Sequence, residues 1–234
     1  RTGAEFFDAV SSDTQLIVEV LELTLQDVGR EGHAWDDLLG ELIRIDPPKA
    51  IRIASAALSS SELHLAEAAA TRLSQLAADH PVEVMQRFGD ALLDPATGKY
   101  LTIHSLRGIV TALPAQVVQM WLEEKGPEAA RAIARHLPEP TLVGGTPFVP
   151  EVTAFVLDRF EKEASVFEEF CAATFSRTYS GNIAEQIEQE GDAARPFLGH
   201  PLRRIREWAQ YQIERSRKEV AFWRARDEEY VAPR

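Results

Sequence analysis

The stretch Leu73-Ser74-Gln75-Leu76-Ala77-Ala78-Asp79-His80-Pro81-Val82-Glu83-Val84 reads as the end of one helix, a short turn and the start of another. Pro81 stands where a helix begins, the position at which a missing N–H costs nothing and a fixed φ is an advantage. The arrangement recurs. Pro48, Pro81 and Pro114 are spaced 33 residues apart. Three residues after each proline stand Ile51, Val84 and Val117; five before stand Ile43, Leu76 and Ile109; eight before stand Gly40, Leu73 and Leu106. All but Gly40 are aliphatic, so the columns predict a helical hairpin repeated in tandem, each pair burying one face on its neighbours.

Working outward, apolar residues recur at three- and four-residue spacing along nearly the whole chain, and strand-like alternation is absent, which predicts helices joined by short turns and no sheet. Leu16, Val18, Val20, Leu21 and Leu25 mark a first helix after the capping candidates Ser11, Ser12 and Asp13. A second runs from about Ala34 to Ile45. Ser59 and Glu62 have capping-box spacing and open a helix through Leu63, Leu65, Ala69, Leu73 and Leu76. Further helices are expected from about Pro81, Leu101, Pro114, Pro127, Pro150 and Glu163. Residues 138–149, with Pro138, Pro140, Gly144, Gly145 and Pro147, read as a loop inserted into the array. Arg177 to Gly191 reads as a turn leading to a short helix, and Pro201 opens the longest helical pattern, through Leu202, Ile205, Trp208, Ala209, Ile213 and Val220.

Apolar residues at 45% and charged residues at 26% belong to a folded protein. No apolar run approaches the roughly 20 residues that cross a bilayer. The single cysteine, Cys171, rules out an internal disulfide or a cysteine cage for a metal and fits a cytoplasmic setting. The net charge of −12 opposes a surface given over to nucleic acid. That charge is uneven. Between Leu202 and Arg226 eight basic residues face three acids, giving +5; residues 227–234 carry −2, which leaves −15 for residues 1–201. The chain starts at Arg1 without a leader pattern and is read as a piece of a longer protein.

Gly199-His200-Pro201-Leu202-Arg203-Arg204-Ile205-Arg206-Glu207-Trp208-Ala209 resembles the second helix of HEAT repeats, and Asp79-His80-Pro81-Val82 is similar at its start. The resemblance implies an all-α, right-handed α-solenoid of antiparallel helix pairs, HEAT- or armadillo-like, closed by a long C-terminal helix. Positions 177–181 and 199–209 also look like the tail of large bacterial multidomain proteins with helical-repeat sensor regions, including signal-transducing NTPases of antiviral defence.

Chemical motifs are sparse. Gly144-Gly145-Thr146 lacks the lysine and glycine spacing of a phosphate loop, although a loop on a rigid scaffold is also a candidate contact surface. His33, His64, His80, His104, His136 and His200 form no i, i+4 pair for a metal. His80 and His200 precede helix-starting prolines and read as turn residues. Cys171 reads as a small buried hydrophobe. Phe88, Trp121 and Trp208 each stand seven residues after a proline, and with Trp35 and Trp223 they read either as repeated core packing or as an aromatic row on a concave binding face. The basic helix, with Arg203, Arg204, Arg206, Arg215, Arg217 and Lys218, reads as a solvated capping face, as a dock for an acidic partner or the acidic body of its own chain, or as a phosphate contact.

The sequence therefore predicts one helical-repeat domain over 1–234: an N-terminal helix and turn (1–33), regular repeats (34–137), the loop (138–149), irregular repeats (150–200) and a closing helix (201–230). Its function is read as a non-enzymatic binding or sensing scaffold of a larger bacterial protein, without cofactor or metal. The expected partner is a protein or another domain of its parent chain, met at the exposed second helices and at the six basic residues. Nucleic-acid binding by the basic helix and a purely structural or oligomerisation role are the alternatives.

Overall fold

The computed structural model describes residues 13–26, 32–94, 103–173 and 181–231, and the fold is all-α. The chain divides into two compact units, Arg1–His136 and Leu137–Arg234, where the sequence reading treats 1–234 as one repeat domain. Ser11, Ser12 and Arg177–Ser180 lie outside the described residues, as do the side chains of His33 and His104.

In the first unit the helices are α1 (Thr14–Gln26), α2 (Gly32–Ile45), α3 (Pro47–Ala57), α4 (Leu63–Leu76), α5 (Pro81–Leu93), α6 (Ile103–Ala112), α7 (Ala115–Lys125) and α8 (Pro127–Ala134). Local chemistry sets their starts. Asp13 Oδ1 accepts from the backbone N–H of Gln15 at 2.9 Å and of Leu16 at 3.3 Å, and Asp46 Oδ1 accepts from Lys49 N at 3.2 Å, so both are side-chain N-caps. Lys49 hydrogen bonding also holds the Asp46 carboxyl below its ordinary range. The three periodic prolines fall at slightly different places: Pro48 in the first turn of α3, Pro81 at the first residue of α5, Pro114 at the N-cap of α7. Helix starts at 47, 81 and 115 are thus 34 residues apart where the prolines are 33. The capping box of Ser59 and Glu62 does not form. Glu62 is the N-cap of α4 without a side-chain bond, and its N–H donates to Ser60 Oγ instead, because Ser59 is still held in the turn closing α3.

From α1 to α5 each helix packs on the next one along, α7 packs on α8, and packing also runs between helices two apart from α1 to α7. α1, α3, α5 and α7 form one row of neighbours; α2, α4 and α6 form another; α8 rests on α5 and α7. Specific contacts pin both rows. Along the first, Arg52 on α3 pairs with Glu22 on α1 at 2.8 Å, and Trp121 on α7 lies against Gly89 on α5. Along the second, Arg72 on α4 makes a two-pronged bond to Asp36 on α2 at 2.8 and 2.9 Å, and Ser74 Oγ on α4 donates to Gly108 O on α6 at 3.1 Å. Trp35 Nε1 donates to Leu21 O at 3.3 Å and ties α2 to α1. Six of the eight aliphatic column positions, Leu73, Leu76, Ile51, Val84, Leu106 and Ile109, are buried, each contributing about 2 kcal/mol by transfer out of water, whereas Ile43 and Val117 are half-buried.

The second unit is built on α12 (Arg203–Val231), 29 residues and roughly 43 Å long. Before it come a hairpin of β1 (Thr141–Val143) and β2 (Thr146–Phe148), then α9 (Glu151–Arg159), α10 (Ala164–Ala173), α11 (Ile183–Ala194) and a 3₁₀ turn over Arg195–Gly199. The hairpin corrects the reading of 138–149 as a plain loop and of the chain as free of sheet. Gly144 and Gly145 have φ of 58° and 81°, the positive values that a two-residue type I′ turn demands. Pro147 pairs with Leu142, the non-hydrogen-bonded pair one step from the turn, so its missing N–H removes no ladder bond. Ile205, Trp208, Ala209, Ile213, Ser216 and Val220 form the buried face of α12, against which α9, α11 and the 3₁₀ turn pack. The helix starts at Arg203 rather than Pro201, because His200 and Pro201 form the turn before it: His200 Nδ1 accepts from Leu202 N at 3.2 Å, and Arg206 Nη1 donates to the carbonyls of His200 at 2.8 Å and Pro201 at 2.7 Å.

Two glycines let helices approach closely. A β-carbon on Gly89 would stand 2.4–2.6 Å from the Trp121 ring, and one on Gly191 would stand 2.5 Å from Ser216 Oγ. Gly89→Ala gains about 1 kcal/mol of helix propensity but overpacks a filled site at about 1–3 kcal/mol. With three ring atoms overlapped, the overpacking prevails. Urea unfolding followed by circular dichroism is expected to show a net loss for Gly89→Ala, and the loss is expected to vanish in a Trp121→Leu background; an equal loss in both backgrounds contradicts this account.

Candidate functional site

The aromatic residues resolve first. Trp35, Phe88, Trp121 and Trp208 are buried, which makes them core packing and overturns the exposed aromatic row. Phe197 meets Trp208 edge-on at 5.6 Å, and Phe170 lies 6.5 Å from it. Trp223 is half-buried beside Phe222, with Arg226 over its ring at 5.1 Å.

In the first unit a groove of about 570 Å³ runs along the seam of α5 and α7. Glu83, Gln86, Arg87 and Asp90 stand at helical spacing on its α5 wall, Glu124 and Lys125 on its α7 wall, and Trp121 at its base. Glu124 and Lys125 pair at 3.1 Å. Val82 and Met120 are more than half exposed on the same two helices. The Trp121 indole N–H is buried without an acceptor among the described residues.

In the second unit the six basic residues of α12 part company. Arg204 is only 15% exposed: it donates through Nε to Glu161 O at 3.0 Å and through Nη2 to the same oxygen, pairs with Glu207 at 2.8 Å, and lies over the Phe167 ring at 4.7 Å. Arg203 pairs with Glu161 at 2.7 Å and Glu207 at 3.5 Å; its hydrogen bond, then its charge, holds the Glu161 carboxyl below the usual range. Arg206 closes the His200–Pro201 turn, and Arg215 is bound by both oxygens of Glu219 at 2.6 and 3.3 Å. Arg203, Arg204, Arg206 and Arg215 are thus engaged within the unit. Arg217 and Lys218 are exposed and make no ion pair among the described residues.

The thiol of Cys171 is buried on α10, and burial pushes its pKa up to about 12, so it stays protonated and unreactive at neutral pH. His200 is held neutral as an acceptor, its pKa lowered by burial and by Arg206. His80 is the N-cap residue of α5 without a side-chain cap bond. Among the described residues no group of three or more His, Cys, Asp or Glu side chains is placed to hold a metal ion, and no helix is long and apolar enough to cross a membrane.

No protein-family model matches the chain, and neither a curated protein nor a solved structure is significantly similar to it.

Two outcomes follow from these placements. Arg204→Ala is expected to cost about 2–3 kcal/mol, since it strips several charge-assisted bonds from a mostly buried group, whereas Arg217→Ala stays within about 0.5 kcal/mol; chemical denaturation of the two variants checks the contrast. Cys171 is expected to resist Ellman's reagent in the native protein and to react once urea unfolds the second unit. Prompt native labelling contradicts the buried placement.

Proposed function

We propose that the chain is a non-enzymatic binding scaffold, a protein-interaction module of a larger bacterial cytoplasmic protein, folded as a right-handed α-solenoid of antiparallel helix pairs. The observation that carries this reading is the two-row packing of the first unit, in which α1 to α7 pack on the next helix but one and α3, α5 and α7 start 34 residues apart. Helix pairs that bury their faces only on neighbours leave a continuous outer surface along each row. The row of α1, α3, α5 and α7 is the contact face, because Leu23, Val82 and Met120 are exposed along it and the α5–α7 groove opens there. The bacterial and cytoplasmic setting rests on the resemblance at 177–181 and 199–209 and on the single cysteine. Nucleic acid is the weaker partner: of the six basic residues, Arg217 and Lys218 alone have neither a hydrogen bond nor an ion pair among the described residues, and a chain of net charge −12 repels a polyanion at long range.

The test is site-specific photocrosslinking in cells with the probe at Gln86 or Met120 on this row, against the probe at Thr111 on α6, followed by binding of the crosslinked protein in purified form. A partner trapped from the α5 and α7 positions, and bound by the purified chain with loss on Val82→Glu and Met120→Glu, is expected. Trapping from neither row, together with a salt-sensitive shift of duplex or single-stranded DNA, overturns the reading in favour of nucleic acid.

A further inference from the structure

The seam between α11 and α12 carries a second groove, of about 270 Å³. Its α12 wall presents Ile213, Ser216, Arg217, Val220 and Arg224 at spacings of three and four, one helix face. Its floor is closed to water: Ile213 and Val220 are 7% and 8% exposed, and the buried Ser216 hydroxyl is spent on Ile187 O at 2.7 Å. The rim is charged. Arg224 pairs with Glu188 at 2.7 Å and Arg195 with Asp192 at 2.8 Å, each pair about half exposed. Arg217 joins these two neutralised pairs with no acid of its own among the described residues.

We infer that this groove takes one carboxylate carried on an apolar body, an acidic side chain flanked by aliphatic residues on a protein partner, with Arg217 as its counter-ion. This deepens the scaffold reading and rests on it. The charge decides the ligand class: three arginines against two carboxylates leave +1, which one carboxylate cancels. A phosphate dianion or a run of phosphates overshoots that charge, meets Glu188 and Asp192 at the same rim, and is repelled by a chain of net −12. The guanidinium fork binds a carboxylate through two parallel N–H···O bonds. Ile213 and Val220 at the floor and the exposed Ala221 beside them present apolar surface to aliphatic neighbours of that acid and give the contact an area term as well as a charge term.

The probe is a short capped peptide with one glutamate between leucines, titrated into the intact chain and followed by the amide and arginine side-chain signals in ¹H–¹⁵N spectra. Saturable shifts of Arg217 Nε and of the Ala221 amide are expected with a dissociation constant on the order of 1 mM. The glutamine peptide is expected to bind at least tenfold more weakly, and Arg217→Gln, whose spectrum otherwise overlays the parent, to lose the discrimination. Equal response to both peptides, tighter binding of inorganic phosphate, or no response at all overturns the inference. A photocrosslinked partner whose affinity is indifferent to Arg217→Gln overturns it too, and leaves the scaffold reading standing. Failure of the crosslinking with a positive titration has the opposite meaning, sinking the scaffold and keeping an anion site.

Discussion

A helix of 8 to 14 residues, the range found in the first unit, is too short to hold itself together in water. Each of them depends on neighbours for its stability: for most helices of this unit these are the next in sequence and the next but one, and α6 rests chiefly on α4. Bonds such as Arg72 to Asp36 and Ser74 to Gly108 lie in this second class. They fix how far each helix slides along the one before it, which buried aliphatic side chains alone leave loosely determined. The prolines then need only mark where a helix starts, and a one-residue drift in their placement is tolerated.

The same economy governs the charges. A basic helix on an acidic chain suggests a surface looking for a partner, yet most of its arginines are consumed at home. Arg204 and Arg206 donate to carbonyl oxygens that the ends of α9 and the 3₁₀ turn leave open, a use for which lysine lacks the planar fork. Arg215 is clamped by an acid one turn away. A count of positive residues measures how many guanidinium groups a fold has to employ; the number left facing solvent is smaller and sits in a definite place.

That difference marks the boundary of what was legible beforehand. The helical class, most helix starts and the inward columns could be read from spacing, because periodic burial writes itself into the chain at intervals of three and four. The buried status of Trp121 and Trp208 was readable from their shared offset to a proline. The hairpin was hidden because its strands are three residues long and one of them contains Pro147, so neither alternation nor β propensity had room to register; Gly144-Gly145 was its one local signal. The division of labour among the arginines was invisible for another reason. Arg203 meets Glu161 across 42 residues, and Arg217 shares its groove with Glu188 of α11 and Arg195 of the 3₁₀ turn, so only folding puts these groups together.

Among the described side chains of α12 the last buried one is Val220, whereas the helix continues to Val231. From there to Arg226 the described side chains are exposed or half-exposed, so this stretch is held by the Arg224–Glu188 pair and the Arg226–Trp223 stack rather than by buried apolar area. Its backbone amides accordingly open turn by turn rather than with the unit as a whole, and exchange with solvent deuterium is graded along one continuous helix: slow where Trp208 and Ile213 are packed, progressively faster past Val220.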